Sequence, residues 1–162
     1  MPGPMPEPTT VHSTFVIERS YSKPPERVFA AFADPRQKRR WYAENDSHEV
    51  EAFDMDFRVG GGETFAYRFK AGTPFPGVIL SSDSRYEDIV PDRRIALTQT
   101  MALGGQRMSS ALITLVFVAT DQGCDLVCTH QGAFFEGSDG PDMREGGWRR
   151  LFERLADALA KA

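Results

Sequence analysis

Residues 142–159, DMREGGWRRLFERLADAL, read as one amphipathic helix, and that reading decides the fold. Trp148, Leu151, Phe152, Leu155, Ala158 and Leu159 recur at helical spacing on one stripe, with Arg149, Arg150, Glu153, Arg154 and Asp157 opposite. Upstream of this segment the hydrophobic period is two, the period of strands. A sheet with one apolar face must be covered, and no other stretch of the chain is long enough to lie across one.

Working back from the helix, Cys124, Leu126, Cys128 and His130 share one side of a strand that follows the turn Asp121-Gln122-Gly123. Ala111, Ile113, Leu115 and Phe117 alternate in the same way, and Gly104-Gly105 joins them to Ile95, Leu97, Gln99 and Met101. Pro91-Asp92 ends an earlier strand at Val90, and the loop Gly72–Gly77 before it is placed to sit over a cavity mouth. Phe53 to Val59 alternates, stops at Gly60-Gly61-Gly62, and is followed by Phe65, Tyr67 and Phe69, which predicts a hairpin with an aromatic face. The first strand runs from Thr14 to Tyr21. After it, Pro24-Pro25 opens a helix with Val28, Phe29, Phe32 and Ala33 on one face; Asp34-Pro35 caps and starts a second, which reaches Trp41 and Tyr42.

This order predicts an α+β, helix-grip fold: a curved seven-stranded antiparallel sheet wrapped around the long C-terminal helix, with two short helices after the first strand. Residues 1–12 carry four prolines and no periodicity and are expected to be a disordered tail, leaving residues 13–162 as a single domain. A helix is too narrow to fill a curved sheet, so a gap between the two is expected. The aromatic content, 12 Phe against 4 Tyr and 2 Trp, exceeds what a small core needs and points the same way.

The 162 residues are 41% hydrophobic and 26% charged with a formal net charge of −4, which argues for a folded chain and against nucleic acid as a partner. The basic run Arg36, Lys38, Arg39 and Arg40 is the local exception and reads as the solvated face of a short helix. No stretch has the roughly 18 apolar residues of a membrane span, and the first residues lack the order of a signal peptide, so a cytoplasmic location without membrane insertion is expected. Cys124 and Cys128 lie on one strand at a Cα separation of roughly 13 Å, too far for a disulfide, and read as buried free thiols. With His12, His48 and His130 as the only histidines, no metal site and no cofactor are expected. The glycine triplet at 60–62 is followed by no Lys-Ser or Lys-Thr, and Ser109-Ser110 lacks a nucleophile elbow.

Several ordered motifs carry a family resemblance: Pro24-Pro25-Glu26-Arg27-Val28-Phe29, Asp34-Pro35 with Trp41, Asp56 to Gly61, Tyr86 to Ile95, Thr129-His130-Gln131-Gly132, and Gly147-Trp148. From about Thr14 onward the chain resembles the SRPBCC superfamily of START-like proteins. Within it, the chain is similar to the branch named after the activator of the heat-shock protein 90 ATPase. The resemblance implies the helix-grip fold and leaves the activity open. His130 stands where many such relatives carry a carboxylate.

Strand parity and the covering helices converge on Trp41, Phe57, Phe65, Tyr67, Tyr86, Gln99, Met101, Ile113, His130 and Trp148 as the lining of a ligand pocket. Asp88 also has the parity to turn inward, and His130 reads as a wall residue that orients a ligand. The first reading is therefore binding of a small hydrophobic molecule, lipid-like or aromatic, between sheet and C-terminal helix. A polyketide cyclase or aromatase is the enzymatic alternative, and it lacks a convincing acid–base pair, so no catalytic residue is assigned. A co-chaperone acting on the heat-shock ATPase through its surface is the third reading. It would bring a chaperone partner, and a homodimer is left open beside it.

Overall fold

The computed structural model describes residues 9–161. The strands are β1 (Thr10–Tyr21), β2 (His48–Met55), β3 (Gly62–Phe69), β4 (Ile79–Val90), β5 (Arg94–Leu103), β6 (Gln106–Thr120) and β7 (Gly123–Phe135). The helices are α1 (Pro25–Ala33), α2 (Pro35–Lys38) and α3 (Gly140–Lys161), with a π-helical turn at Arg39–Ala43. The strands form one seven-stranded sheet in the order β1-β7-β6-β5-β4-β3-β2, antiparallel throughout. Chain order runs across the sheet except that β1 closes onto β7, so the first and last strands lie side by side. Register shifts at Val50/Ala52, Tyr86/Asp88 and Met101/Ala102 add local twist, and bulges of this kind bend a sheet around its cover. This is the helix-grip arrangement expected from the hydrophobic periods.

On α3, Arg144, Trp148, Phe152, Leu155 and Leu159 are buried at spacings of four, four, three and four residues, the stripe of a helix laid on a sheet. The hydroxyl of Tyr21 donates to the Phe152 carbonyl at 3.1 Å and ties β1 to the middle of α3. In α1, Val28, Phe29, Ala31 and Phe32 face the core, and Phe29 and Phe32 meet Phe117 edge-on at 5.3 and 5.6 Å. Asp34 caps α2 through the Arg36 amide at 2.9 Å, with Pro35 opening the helix. Cys124 and Cys128 are free and buried.

Three expectations are corrected. The first concerns residues 1–12, of which 1–8 lie outside the described residues. Thr10, Val11 and His12 are not tail; they pair with Phe135, Phe134 and Ala133. Their side chains are exposed, so what holds them is backbone pairing to an extended β7, which composition does not report. Second, the strand before the glycine triplet ends at Met55, although alternation continues to Val59. Asp56 to Gly61 form a wide turn in which the Asp56 amide donates to the Gly62 carbonyl at 2.8 Å and the Gly60 amide to the Tyr86 carbonyl at 2.7 Å. Third, Lys38 is not on a solvated face. It is 6% exposed and its ammonium meets Glu63 at 2.5 Å. Its partner is the reason: the Glu63 carboxylate on β3 is 1% exposed, and a charge so enclosed needs a counter-ion. Beyond Lys38 the Glu44 amide bonds back to the Arg39 carbonyl at 2.9 Å, and this widened turn buries Trp41, Tyr42 and Ala43 in succession.

Candidate functional site

The gap between sheet and helix originates in small side chains on the inward parity. One row across the sheet reads Gly132, Ala111, Gln99, Ser84, Glu63, and the next reads Phe134, Ser109, Met101, Ser82, Phe65. Ser82, Ser84, Ser109 and Ala111 are all buried, yet none is long enough to reach α3. The helix passes over this region with Gly147, which adds no side chain of its own. The result is a cleft of about 620 Å³, with Ser82, Gln99 and Met101 in its floor, Phe65, Tyr67 and Tyr42 along one wall, and Arg144, Gly147, Trp148 and Leu151 above. Close packing elsewhere holds the void open. Tyr42 contacts Phe65 and Trp148 at ring separations of 5.5 and 6.2 Å, and Tyr67 stacks on His48 at 3.8 Å.

The polar groups of the cleft have identifiable environments. His48 donates its Nε2 proton to the Ala43 carbonyl at 2.6 Å, and burial lowers its pKa, so the ring is neutral at pH 7. Burial likewise raises the Tyr42 hydroxyl, with the nearby Glu63 charge adding to it. Gln99 donates to Ser84 Oγ at 3.3 Å. Arg144, 6% exposed, is gripped by Asp139 through Nε and Nη2, both at 2.8 Å, and lies over the Phe134 ring at 5.1 Å. Burial pushes the Asp139 carboxyl up, but the Arg144 hydrogen bonds and charge outweigh it and hold the acid below its ordinary range. Among the described residues, Arg144 Nη1, Ser82 Oγ and Ser109 Oγ, together with both ring nitrogens of His130, are buried with no hydrogen-bond partner.

A second cleft of about 580 Å³ lies between the short helices and the C-terminal end of α3, lined by Arg27, Arg40, Arg154, Asp157 and Lys161 beside Trp41 and Leu159. Its rim is mostly long charged side chains, and the described structure leaves no buried polar atom there without a partner. The cleft over Ser82 has the apolar lining and the few enclosed polar groups that small-molecule sites share.

A family profile described as activator of Hsp90 ATPase homolog 1-like protein matches residues 22–160. The chain belongs to this family. Its fold is thereby that of the SRPBCC superfamily. Among solved structures, a protein from Rhizobium leguminosarum is 34% identical with a TM-score of 0.87, covering 96% of this chain and 99% of that one. One from Rhizobium loti is 43% identical with a TM-score of 0.81, covering 93% and 99%. An AHSA1-like protein from Aeromonas hydrophila, at 16% identity and a TM-score of 0.65 over 92% of this chain and 93% of its own, shares the fold. No curated protein matches the chain.

Against this family fold the residues expected to line a pocket divide. Phe65, Tyr67, Gln99, Met101 and Trp148 meet at the one cleft. Ile113 and His130 belong to the neighbouring row Phe15, His130, Ile113, Leu97, Tyr86, which is filled with large side chains and is closed core. His130 stacks on Phe15 at 4.5 Å and its two ring nitrogens have no partner among the described residues. Tyr86 donates to Glu63 at 2.6 Å beneath the cleft. Phe57 left its strand with the wide turn and packs edge-on against Phe29 and Tyr86 at 5.8 and 5.0 Å. Trp41 bonds the Ala31 carbonyl at 2.9 Å and borders the second cleft. Asp88 faces out past the bulge and pairs with Arg94 at 2.7 Å.

Sequence reasoning missed Tyr42, His48, Ser82 and Arg144. The signal for Arg144 was available, since it stands four residues before Trp148 on the buried stripe of α3. A charged residue on such a stripe requires a partner, and Asp139 is five residues upstream.

Proposed function

We propose that the chain binds a small hydrophobic molecule, lipid-like or aromatic, in the cleft between sheet and α3. The observation that carries this reading is the void of about 620 Å³ over Ser82, which lies beside Phe65, Tyr67, Met101 and Trp148 in a fold whose other inward rows are closely packed. A volume of that size matches a ligand of drug-like or short acyl dimensions. The family fold, commonly used for ligand binding, supports the same reading.

A cyclase would need an acid or base that reaches its substrate. His130 does not serve: it lies in closed core, and burial together with the Arg144 charge lowers its pKa to about 4. The chaperone reading rests on the family's name alone. Native mass spectrometry of gently purified protein tests the binding reading, with a co-purifying apolar mass that is lost on denaturation as the expected result. Protein that stays at its apo mass when apolar molecules are added would count against it.

A further inference from the structure

The second cleft is strongly basic in a chain whose formal net charge is −4. Its lining carries Arg27 from α1, Arg40 from the π-helical turn, and Arg154 and Lys161 from α3, against a single acid, Asp157. Among the described residues none of these four cations forms an ion pair, although Lys38 and Arg39, the two residues before Arg40, are both paired with carboxylates. Arg27 and Arg154 are half-buried, so each has given up part of its hydration with no counter-charge in return. The wall behind them is fixed. The Trp41 indole donates to the Ala31 carbonyl at 2.9 Å, joining the π-helical turn to α1, and both residues line the cleft.

The carbonyl end of α3 accounts for only part of this charge. Lys161 complements it, but a helix end amounts to about half a negative charge. Four cations less one carboxylate and that half charge leave about +2.5 facing one cavity of about 580 Å³. Further acids stand nearby without lining the cleft: Glu44 and Asp46 lie close enough to act on Arg154, and Glu26 and Glu153 adjoin Arg27 and Arg154 in the chain. An extended acidic partner would meet these acids and the chain's overall negative charge, whereas a small anion inside the cleft would not. A carboxylate or sulfate supplies one negative charge and a phosphate monoester close to two, and guanidinium forks match phosphate oxygens in pairs. The volume is that of a small organic ligand, well above that of a bare phosphate. We infer that the second cleft takes a small phosphorylated molecule, with Arg27, Arg40, Arg154 and Lys161 around its phosphate. The site is separate from the apolar cleft over Ser82, sharing with it only Arg154 and Asp157.

Calorimetric titration at pH 8 with phenyl phosphate, there a dianion, and phenyl sulfate, a monoanion of the same shape, tests this. The phosphate is expected to bind at one site, about tenfold or more tighter than the sulfate, and more weakly as salt is raised. Arg27→Gln and Arg40→Gln should each lower its affinity by about tenfold, the usual loss with one hydrogen bond to a charged group. Neither side chain holds an ion pair, so the fold should persist, and denaturant melts of both variants check that it does. Arg107→Gln removes an exposed and equally unpaired cation of β6 that does not line the cleft, and it should leave the affinity unchanged. A loss as large in Arg107→Gln would mean that general charge attracts the phosphate, and it would overturn the site. Equal binding of phosphate and sulfate, tighter binding of a polyglutamate peptide, or no saturable uptake of phenyl phosphate would overturn it as well.

Discussion

Lys38 and Glu63 meet at 2.5 Å with side chains only 7% and 1% exposed, joining the short helix before the π-helical turn to β3 beneath the cleft. Tyr86 donates to the same Glu63 oxygen at 2.6 Å, and the Lys38 ammonium lies 4.6 Å from the centre of the Tyr42 ring. An ion pair this enclosed repays its desolvation only while every partner is present. Lys38→Met or Glu63→Gln alone should therefore destabilise by about 3–5 kcal/mol, by leaving one buried charge unmatched. The triple variant Lys38→Met, Glu63→Leu, Tyr86→Phe should cost far less than the single changes combined. Denaturant melts of the set check this, and additive losses would mean the three groups do not act as a unit.

Stability should depend on His130 in mild acid. Burial, with the Arg144 charge second, lowers its pKa from 6.5 to about 4. The unfolded chain thus takes up a proton that the folded chain refuses between those values. The sign follows: the contribution is fully present above pH 6.5 and is lost as pH falls toward 4, on the order of 3 kcal/mol for a shift of this size. His130→Phe keeps the stack with Phe15 and removes the titration, so the slope in this window should flatten, leaving the part due to His48, whose pKa is also lowered. An unchanged slope in urea melts across this range would show that His130 is not the group responsible.

The outer ladder of β1 should contribute measurably. Beyond the pairing of Thr10, Val11 and His12 with β7, the Thr9 amide donates to Glu136 Oε2 at 3.1 Å. A chain starting at residue 13 should melt lower than one starting at residue 9, by ~2–8 °C for a loss of about 1 kcal/mol. Identical midpoints by circular dichroism would reduce these residues to bystanders.

Gly132 is required for its lack of a side chain. A Cβ placed there would stand 2.9 Å from His130 Cε1 and 2.9 Å from Phe134 Cε2, two rings already packed against their neighbours. Gly132→Ala should cost about 1–3 kcal/mol as overpacking, read from the shift in denaturant midpoint. A neutral or stabilising result would mean that the rings yield freely.

Periodicity made most of this fold legible. Alternation of large apolar residues placed Phe65, Tyr67, Met101 and Trp148 on the inward side, and all four reach the cleft. Parity alone does not say which inward rows are filled. Ile113 and His130 share that parity and lie one or two rows away in closed core, because their neighbours Phe15, Leu97 and Tyr86 are large. The void lies instead over Ser82, whose small volume carries no hydrophobic signal. Lys38 and Phe57 were misplaced for different reasons. Lys38 is drawn in by Glu63, 25 residues away in the chain, and Phe57 left its strand in a wide turn that re-phases the chain; neither leaves a mark in a simple period.

The cleft is tested most directly by titrating ethylnaphthalene into the protein and into Ser82→Phe, with heat as the readout and denaturant melts of both as controls. Ser82 lies in the floor of a void of about 620 Å³, so an added benzyl group has room to enter and should leave stability nearly unchanged. Ile113→Trp, by contrast, enters a site with 0% exposure and no void and should destabilise by about 1–3 kcal/mol. The expected result is saturable uptake at one site in the unaltered protein, abolished by Ser82→Phe while the fold persists. Uptake equal in both, or none in the unaltered protein, would contradict the placement of the ligand over Ser82.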